Sequence, residues 1–122
     1  MAELTLETIL DAMEKNNYKK TTGTYFRVGR KAVSELPEID ETFSACAIGQ
    51  AAANLKQSRG DFVYSVLSRY NLDPKNICEH LRYKRYETLA DIIVHLNDRH
   101  NMTVKSIAKR ARKLVEDTSK TP

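Results

Sequence analysis

The sequence predicts a single all-α domain, five or six short helices with a small extended or hairpin-like arm near residues 18–31. Three observations lead there. Apolar residues recur at three- and four-residue spacing in segment after segment. Capping and helix-breaking residues separate those segments. Only one stretch, around Tyr18 to Lys31, is rich in residues that favour extended backbone. With 122 residues, 41% hydrophobic and 30% charged, the chain holds enough for one core and a solvated surface, not for two domains. The expected division is a helical domain over 1–116 and a flexible polar tail over 117–122.

The first helix is expected over Leu4 to Lys15, where Leu6, Ile9, Leu10 and Met13 form one stripe. Thr5, Thr8 and Glu7 supply capping chemistry and suit the positive end of the helix dipole. Asn16-Asn17 stops it. Tyr18, Thr21, Thr22, Tyr25, Phe26 and Val28 then favour extended backbone, punctuated by Gly23 and Gly29, which predicts a short hairpin or an irregular arm. The acidic, proline-containing stretch Leu36 to Ser44 reads as a loop, and Ser44 as the N-cap of a helix running from Ala45 to about Gln57. That helix has a face of small residues, Ala45, Gly49, Ala52 and Ala53. A glycine inside a helix costs about 1 kcal/mol relative to alanine, a cost usually accepted where another backbone approaches closely. This helix is therefore expected at the centre of the core.

Ser58-Arg59-Gly60 ends it and Asp61 is expected to cap a helix from about Phe62 to Tyr70. Asp73-Pro74 reads as an N-cap followed by proline at the first helical position, with Ile77, Cys78 and Leu81 on the buried side. A helix from about Glu87 to His100 carries Leu89, Ile92, Ile93 and Leu96. Asn101 breaks it, Thr103 caps the next, and Val104, Ile107, Ala108, Ala111, Leu114 and Val115 mark the helix that runs to about Glu116.

Several function classes are excluded or disfavoured by composition. The longest apolar stretch, Ala90 to Leu96, is far short of the roughly 20 residues of a membrane span and contains Asp91 and His95, so no membrane partner is expected. The acidic start, Met-Ala-Glu-Leu-Thr-Leu-Glu, predicts no secretory leader. Cys46 and Cys78 alone make neither a disulfide framework nor a four-ligand zinc site, and a cytoplasmic setting is expected. Gly23, Gly29, Gly49 and Gly60 have no phosphate-loop or dinucleotide spacing. Cys46 at a helix start, with a base from His80, His95 or His100, is the one nucleophile arrangement to weigh. Among Ala45, Ala47 and Ile48 it reads instead as a small buried hydrophobe. Cys78 and His80 diverge by about 200° on a helix, which speaks against a shared metal. His95, near Asp91 and Asp98, predicts a solvated histidine–carboxylate face, and His100 a cation closing a helix end. No enzyme, cofactor or metal is expected.

Charge is more informative. The net charge is +4, and basic and acidic side chains balance before Asp61, so the whole excess lies beyond it. Two clusters stand out there. Arg82, Tyr83, Lys84, Arg85 and Tyr86 interleave three cations with two tyrosines. The closing helix carries Lys105, Lys109, Arg110, Arg112 and Lys113, with Lys105, Lys109 and Arg112 on one stripe away from the apolar face and Arg110 and Lys113 further round. A third group, Lys19-Lys20, Arg27 and Arg30-Lys31 among aromatics, lies on the arm. Cations on one helical face neutralise phosphates and release counterions, and neighbouring aromatics stack on unpaired bases. Basic residues near a helix end also simply complement the dipole and keep a helix solvated. Asp91 to Leu114 resembles the first two helices of a helix-turn-helix, but no third helix follows, which disfavours sequence-specific DNA reading.

Cys46-Ala47-Ile48-Gly49-Gln50-Ala51, followed by Ile92-Ile93-Val94-His95-Leu96-Asn97-Asp98 and closed by Ser106-Ile107-Ala108, resembles an uncharacterised family of small proteins common in bacteriophages and some bacterial genomes. Those proteins pair a Cys-x-Ile/Leu-Gly helix with a later Asn-Asp helix end, and the aromatic piece Thr24-Tyr25-Phe26 also fits. The resemblance spans roughly Thr24 to Val115. It implies a mostly helical fold and a viral origin, and assigns no catalytic role to Cys46, Asn97 or Asp98. On physical grounds Gly49 is expected to admit the Asn97 region, with Asn97 or Asp98 hydrogen-bonding backbone groups at a helix end. The functional expectation is a non-enzymatic, phage-encoded accessory or regulatory protein that binds nucleic acid or a nucleoprotein complex through basic helical faces. The alternative is a modulator or inhibitor of a host enzyme, using the same cations on an acidic protein surface. The oligomeric state is left open.

Overall fold

The sheet-forming residues outnumber what the sequence pattern reveals, and the all-α expectation is corrected on that account. The computed structural model describes residues 4–15, 18–72, 77–79 and 87–119, and within them the fold is mixed α/β. In chain order the elements are α1 (Leu6–Lys15), β1 (Lys19–Lys20), β2 (Phe26–Val28), β3 (Lys31–Val33), β4 (Phe43–Ala45), α2 (Ala47–Asn54), α3 (Gly60–Leu67), β5 (Asn71–Leu72), β6 (Glu87–Thr88), α4 (Leu89–Asp98) and α5 (Val104–Ser119). Most of the helix expected from Asp73-Pro74 lies outside the described residues, as does the Arg82 to Tyr86 cluster. No helix among the described residues is long and apolar enough to cross a membrane.

Four strands make one sheet in the order β1-β4-β2-β3. A hairpin does form, but it starts late in the expected arm and runs past it, pairing β2 with β3 so that Phe26 lies opposite Val33. What the sequence hides is β4. Phe43-Ser44-Ala45 inserts between β1, with which it runs parallel, and β2, with which it runs antiparallel. Strands of two or three residues are too short to show period-two alternation, so Ser44 mimics a helix cap. Burial of aromatic rings holds the sheet. Phe26 and Phe43 lie 6.1 Å apart, and Tyr18 meets Phe43 edge-on at 5.1 Å. The second sheet pairs only β5 with β6; residues Glu87–Thr88 are therefore strand, not the first turn of α4.

The helices follow the apolar spacing, with shifted ends. At the start of α1, Thr5 and Thr8 exchange reciprocal bonds, each backbone N–H meeting the other's hydroxyl at 2.9 and 3.2 Å, which satisfies two donors in the manner of a capping box. α2 is capped not by Ser44 but by Cys46, whose sulfur accepts from the Gly49 N–H at 3.4 Å. α3 is capped by Arg59 rather than Asp61, with no side-chain bond to its backbone. Thr103 caps α5 as expected, accepting from the Ser106 N–H at 3.1 Å. α5 continues to Ser119, three residues past the expected end.

α2 sits at the centre, as foreseen, with every residue from Ala47 to Ala53 buried. α1 packs against both α2 and α5, and α4 against α2, α3 and α5. The buried set is almost wholly aliphatic and small, from Ile9, Leu10 and Met13 of α1 to Val104, Ile107 and Ala111 of α5.

The close approach at Gly49 is real, but the neighbour is not Asn97. A Cβ there would lie 2.0 Å from the carbonyl oxygen of Tyr25, and one at Gly60 would lie 2.5 Å from the Tyr25 ring. Tyr25 is thus wedged between two glycines, its carbonyl over α2 and its ring over the start of α3.

Candidate functional site

A cleft at the N-terminus of α2 and the outer face of α5 both carry organised chemistry. The cleft encloses about 600 Å³ between the Gly23–Tyr25 turn, β3, the first turn of α2 and the C-terminal half of α4. Its floor is Cys46, Ala47 and Ile48, and its walls include Tyr25, Val33, Ile93 and Asn97.

Asn97 organises this cleft and is the second buried polar side chain of the core, beside Gln50. Its Oδ1 accepts from the Ala47 N–H at 3.1 Å, and its Nδ2 donates to the Thr21 carbonyl at 3.0 Å and to Asp98 Oδ1 at 2.8 Å. One amide therefore ties α4 to the first turn of α2 and to the segment after β1, the helix-end role expected of it. Asp98 also accepts from the Gly23 N–H at 3.3 Å. Beneath the same corner Lys20 reaches the end of α4, donating to the carbonyls of Asn97 and Met102 and to Asn101 Oδ1 at 3.1, 2.7 and 3.0 Å. Burial lowers the Lys20 pKa, and Asp98 partly offsets this.

This cleft does not activate its thiol. Burial pushes Cys46 up to about 11, against the opposing pull of the Gly49 and Ile48 N–H groups. A group so shifted is a neutral thiol at neutral pH and a poor nucleophile. Tyr25 is likewise raised, by burial first and then by Cys46 and Asp61. No histidine stands among the lining residues, so the wall offers an apolar surface with a fixed amide and a carboxylate rather than a base and nucleophile.

On α5 the apolar stripe Val104, Ile107, Ala108 and Ala111 is buried, and Lys105, Lys109, Arg110 and Lys113 are exposed. Lys105, Lys109 and Lys113 succeed one another at four-residue steps, a row about 12 Å long at the helical rise of about 1.5 Å per residue. Among the described residues no ion pair engages these three lysines. Arg112 differs. It turns to the flank and bonds three carboxylates of α1: Glu7, Asp11, and Glu14 at 2.8 Å from its Nε. The bond to Glu14 leads in raising its pKa, opposed by burial and joined by Glu7 and Asp11. It is a clamp between the two helices, not a member of the outer row where the sequence pattern placed it.

The remaining expected contact residues, Arg82, Tyr83, Lys84 and Arg85, lie outside the described residues. In the arm, Tyr18, Tyr25 and Phe26 pack inward, Lys20 is consumed by the end of α4, and Arg27 donates to the Arg30 carbonyl at 3.2 Å. Those aromatics are therefore structural. Sequence reasoning also missed one cluster: Cys78 meets His95 and His100 in space, although the sequence pairs it visually with His80. Spacings of 17 and 5 residues carry no motif, so only the fold reveals it. No family model, curated protein or solved structure matches the chain.

Proposed function

We propose that the protein is a non-enzymatic, phage-encoded accessory protein that binds nucleic acid through the outer face of α5. The observation that carries this reading is the exposed row Lys105, Lys109 and Lys113, flanked by Arg110, on a helix whose other cation is committed to α1. A row of three ammonium groups about 12 Å long spans some three to four phosphates of one strand at about 3.4 Å of axis each. Point charges without a bidentate guanidinium or amide near the helix start favour backbone contact over base reading. The neutral, buried Cys46 supports the non-enzymatic part of the proposal.

Fluorescence anisotropy with mixed-sequence duplex and single-stranded DNA and RNA, across a salt series, tests it. The triple variant Lys105→Ala/Lys109→Ala/Lys113→Ala is expected to weaken binding and lower the salt slope by about 1 per lysine. The parent failing to bind even at low salt refutes the reading, as does a slope that the triple variant leaves unchanged. One observation favours the alternative of a protein-binding modulator. Phe62 is 49% exposed with the Arg59 guanidinium 5.4 Å from its ring centre, the pairing of aromatic and arginine that dominates protein interfaces. Under that reading Phe62→Ala costs more of the partner's capture than alanine at any one of the lysines.

A further inference from the structure

His95 lies in the last turn of α4 and His100 two residues beyond its end, while Cys78 comes from the segment ahead of β6. Cys78 Sγ is 3.1 Å from His95 Nε2, and His95 Nε2 is 3.0 Å from His100 Nε2. The three ligand atoms lie within 4.8 Å of one another. The imidazoles are tilted by 59° with centres 4.8 Å apart, so they converge through their nitrogens rather than stack.

His95 Nε2 carries either one N–H or one lone pair, yet it faces both the Cys78 sulfur and His100 Nε2, so the two short contacts compete for a single position. A divalent metal removes that conflict. Tetrahedral zinc, with Zn–N about 2.0–2.1 Å and Zn–S about 2.3 Å, sets its ligand atoms about 3.3 Å apart for two nitrogens and about 3.6 Å apart for nitrogen and sulfur. The two short spacings, 3.0 Å between nitrogens and 3.1 Å between nitrogen and sulfur, lie about 0.3 and 0.5 Å inside that set, and all three atoms lie within 4.8 Å, so side-chain shifts of up to about 1 Å seat the ion. Cys78 and His95 are half-buried and His100 is exposed, so the cluster is reachable from solvent.

We infer that Cys78, His95 and His100 form a binding site for zinc or a similarly thiophilic divalent metal. One thiolate and two imidazoles select such metals over magnesium and calcium, which want oxygen ligands. Three protein ligands leave a fourth position for water or a further donor. Coordination displaces the Cys78 proton to solvent and ties the segment at 77–79 to the end of α4.

Cobalt titration of the reduced full-length chain, stripped of metal beforehand with a chelator, tests this. Cobalt(II) is expected to produce intense tetrahedral visible bands and a thiolate charge-transfer band, both displaced by zinc and neither by magnesium. Cys78→Ser removes the charge-transfer band, and His95→Gln or His100→Gln each weakens cobalt binding by at least about 100-fold, beyond the roughly 10–100-fold cost of losing an outer-shell partner. In the unaltered chain, zinc chloride slows alkylation of Cys78, located by peptide mass. That arm needs no variant to fold. Absence of the visible bands overturns the assignment, as does a charge-transfer band that survives Cys78→Ser or an alkylation rate at Cys78 indifferent to zinc.

Discussion

Replacing Gly49 by alanine sets two effects of opposite sign against each other. Alanine gains about 1 kcal/mol of helix propensity over glycine inside a helix. The added Cβ would lie 2.0 Å from the Tyr25 oxygen and 2.8 Å from its carbonyl carbon. Hard-sphere contact requires the two backbones to separate by about 1 Å. Because the atom met is backbone, no rotamer change relieves it, and overpacking of this kind costs about 1–3 kcal/mol. The Tyr25 carbonyl also accepts from the Cys46 N–H at 3.2 Å, so its retreat strains that bond, and a buried polar group left unpaired costs about 1–3 kcal/mol. The expected net is a loss of about 1–5 kcal/mol. At about 2.1 cal/mol/K of unfolding entropy per residue, each kcal/mol lowers the Tm of a chain this long by about 4 °C. Thermal and urea unfolding followed by far-UV circular dichroism read this directly, with Gly29→Ala as the comparison. Gly29 has a φ of +57° but meets no atom within 4 Å, so its substitution carries only the left-handed penalty of about 1–2 kcal/mol. A Gly49→Ala protein as stable as the parent, or more so, would refute the wedge between Tyr25 and the two glycines.

Asn97→Ala leaves the Ala47 N–H without its acceptor and the Thr21 carbonyl without its donor; a loss of about 2–4 kcal/mol in urea is expected, and less than about 1 kcal/mol would remove Asn97 from its organising role. Arg112→Met keeps the bulk of the side chain but leaves Glu7, Asp11 and Glu14 facing one another, so stability should fall by about 1–2 kcal/mol at low salt, with the difference shrinking in about 1 M salt; a salt-independent loss would point to packing instead. Cys46 is a group whose folded pKa, about 11, exceeds its unfolded value near 9. Its contribution is therefore complete below about pH 9 and lost as pH rises through 11, on the order of 3 kcal/mol, and the alkaline slope of stability should be shallower in Cys46→Ala than in the parent.

The helices were legible because each carries four or more apolar positions at helical spacing, a signal long enough to survive errors at its ends. Those errors have a common source. Ser44, Asp61 and Glu87 have the chemistry of helix starts, yet Phe43–Ala45 and Glu87–Thr88 are strand and Arg59 occupies the cap of α3. In each case pairing with a distant segment overrode a local preference worth about 1 kcal/mol. The sheet was hidden for the same reason: β4 exists because β1 and β2 flank it, and no two- or three-residue strand announces its partners. At the candidate surfaces, the lysine row was legible from spacing alone. Arg112 was not, since its partners lie 98 to 105 residues away in α1. Gly49 was readable as a point of close approach, whereas the identity of the approaching group, the Tyr25 carbonyl, belongs to tertiary structure.

The clamp between α1 and α5 also has a consequence for the order of events during synthesis. The side of α1 that meets α5 leaves the ribosome early, and its cover follows about 100 residues later, which at about 5–20 residues per second is a wait of about 5–20 s. Over that interval the apolar residues of α1 that pack on α5 stay uncovered, and the ten-residue helix lacks one of the packing partners that stabilise it. Closing so long a loop also carries its entropic cost before α5 can reward it. A circular permutant opened at the turn around Gly29, in which α1 follows α5 in the chain, would let the two emerge in succession.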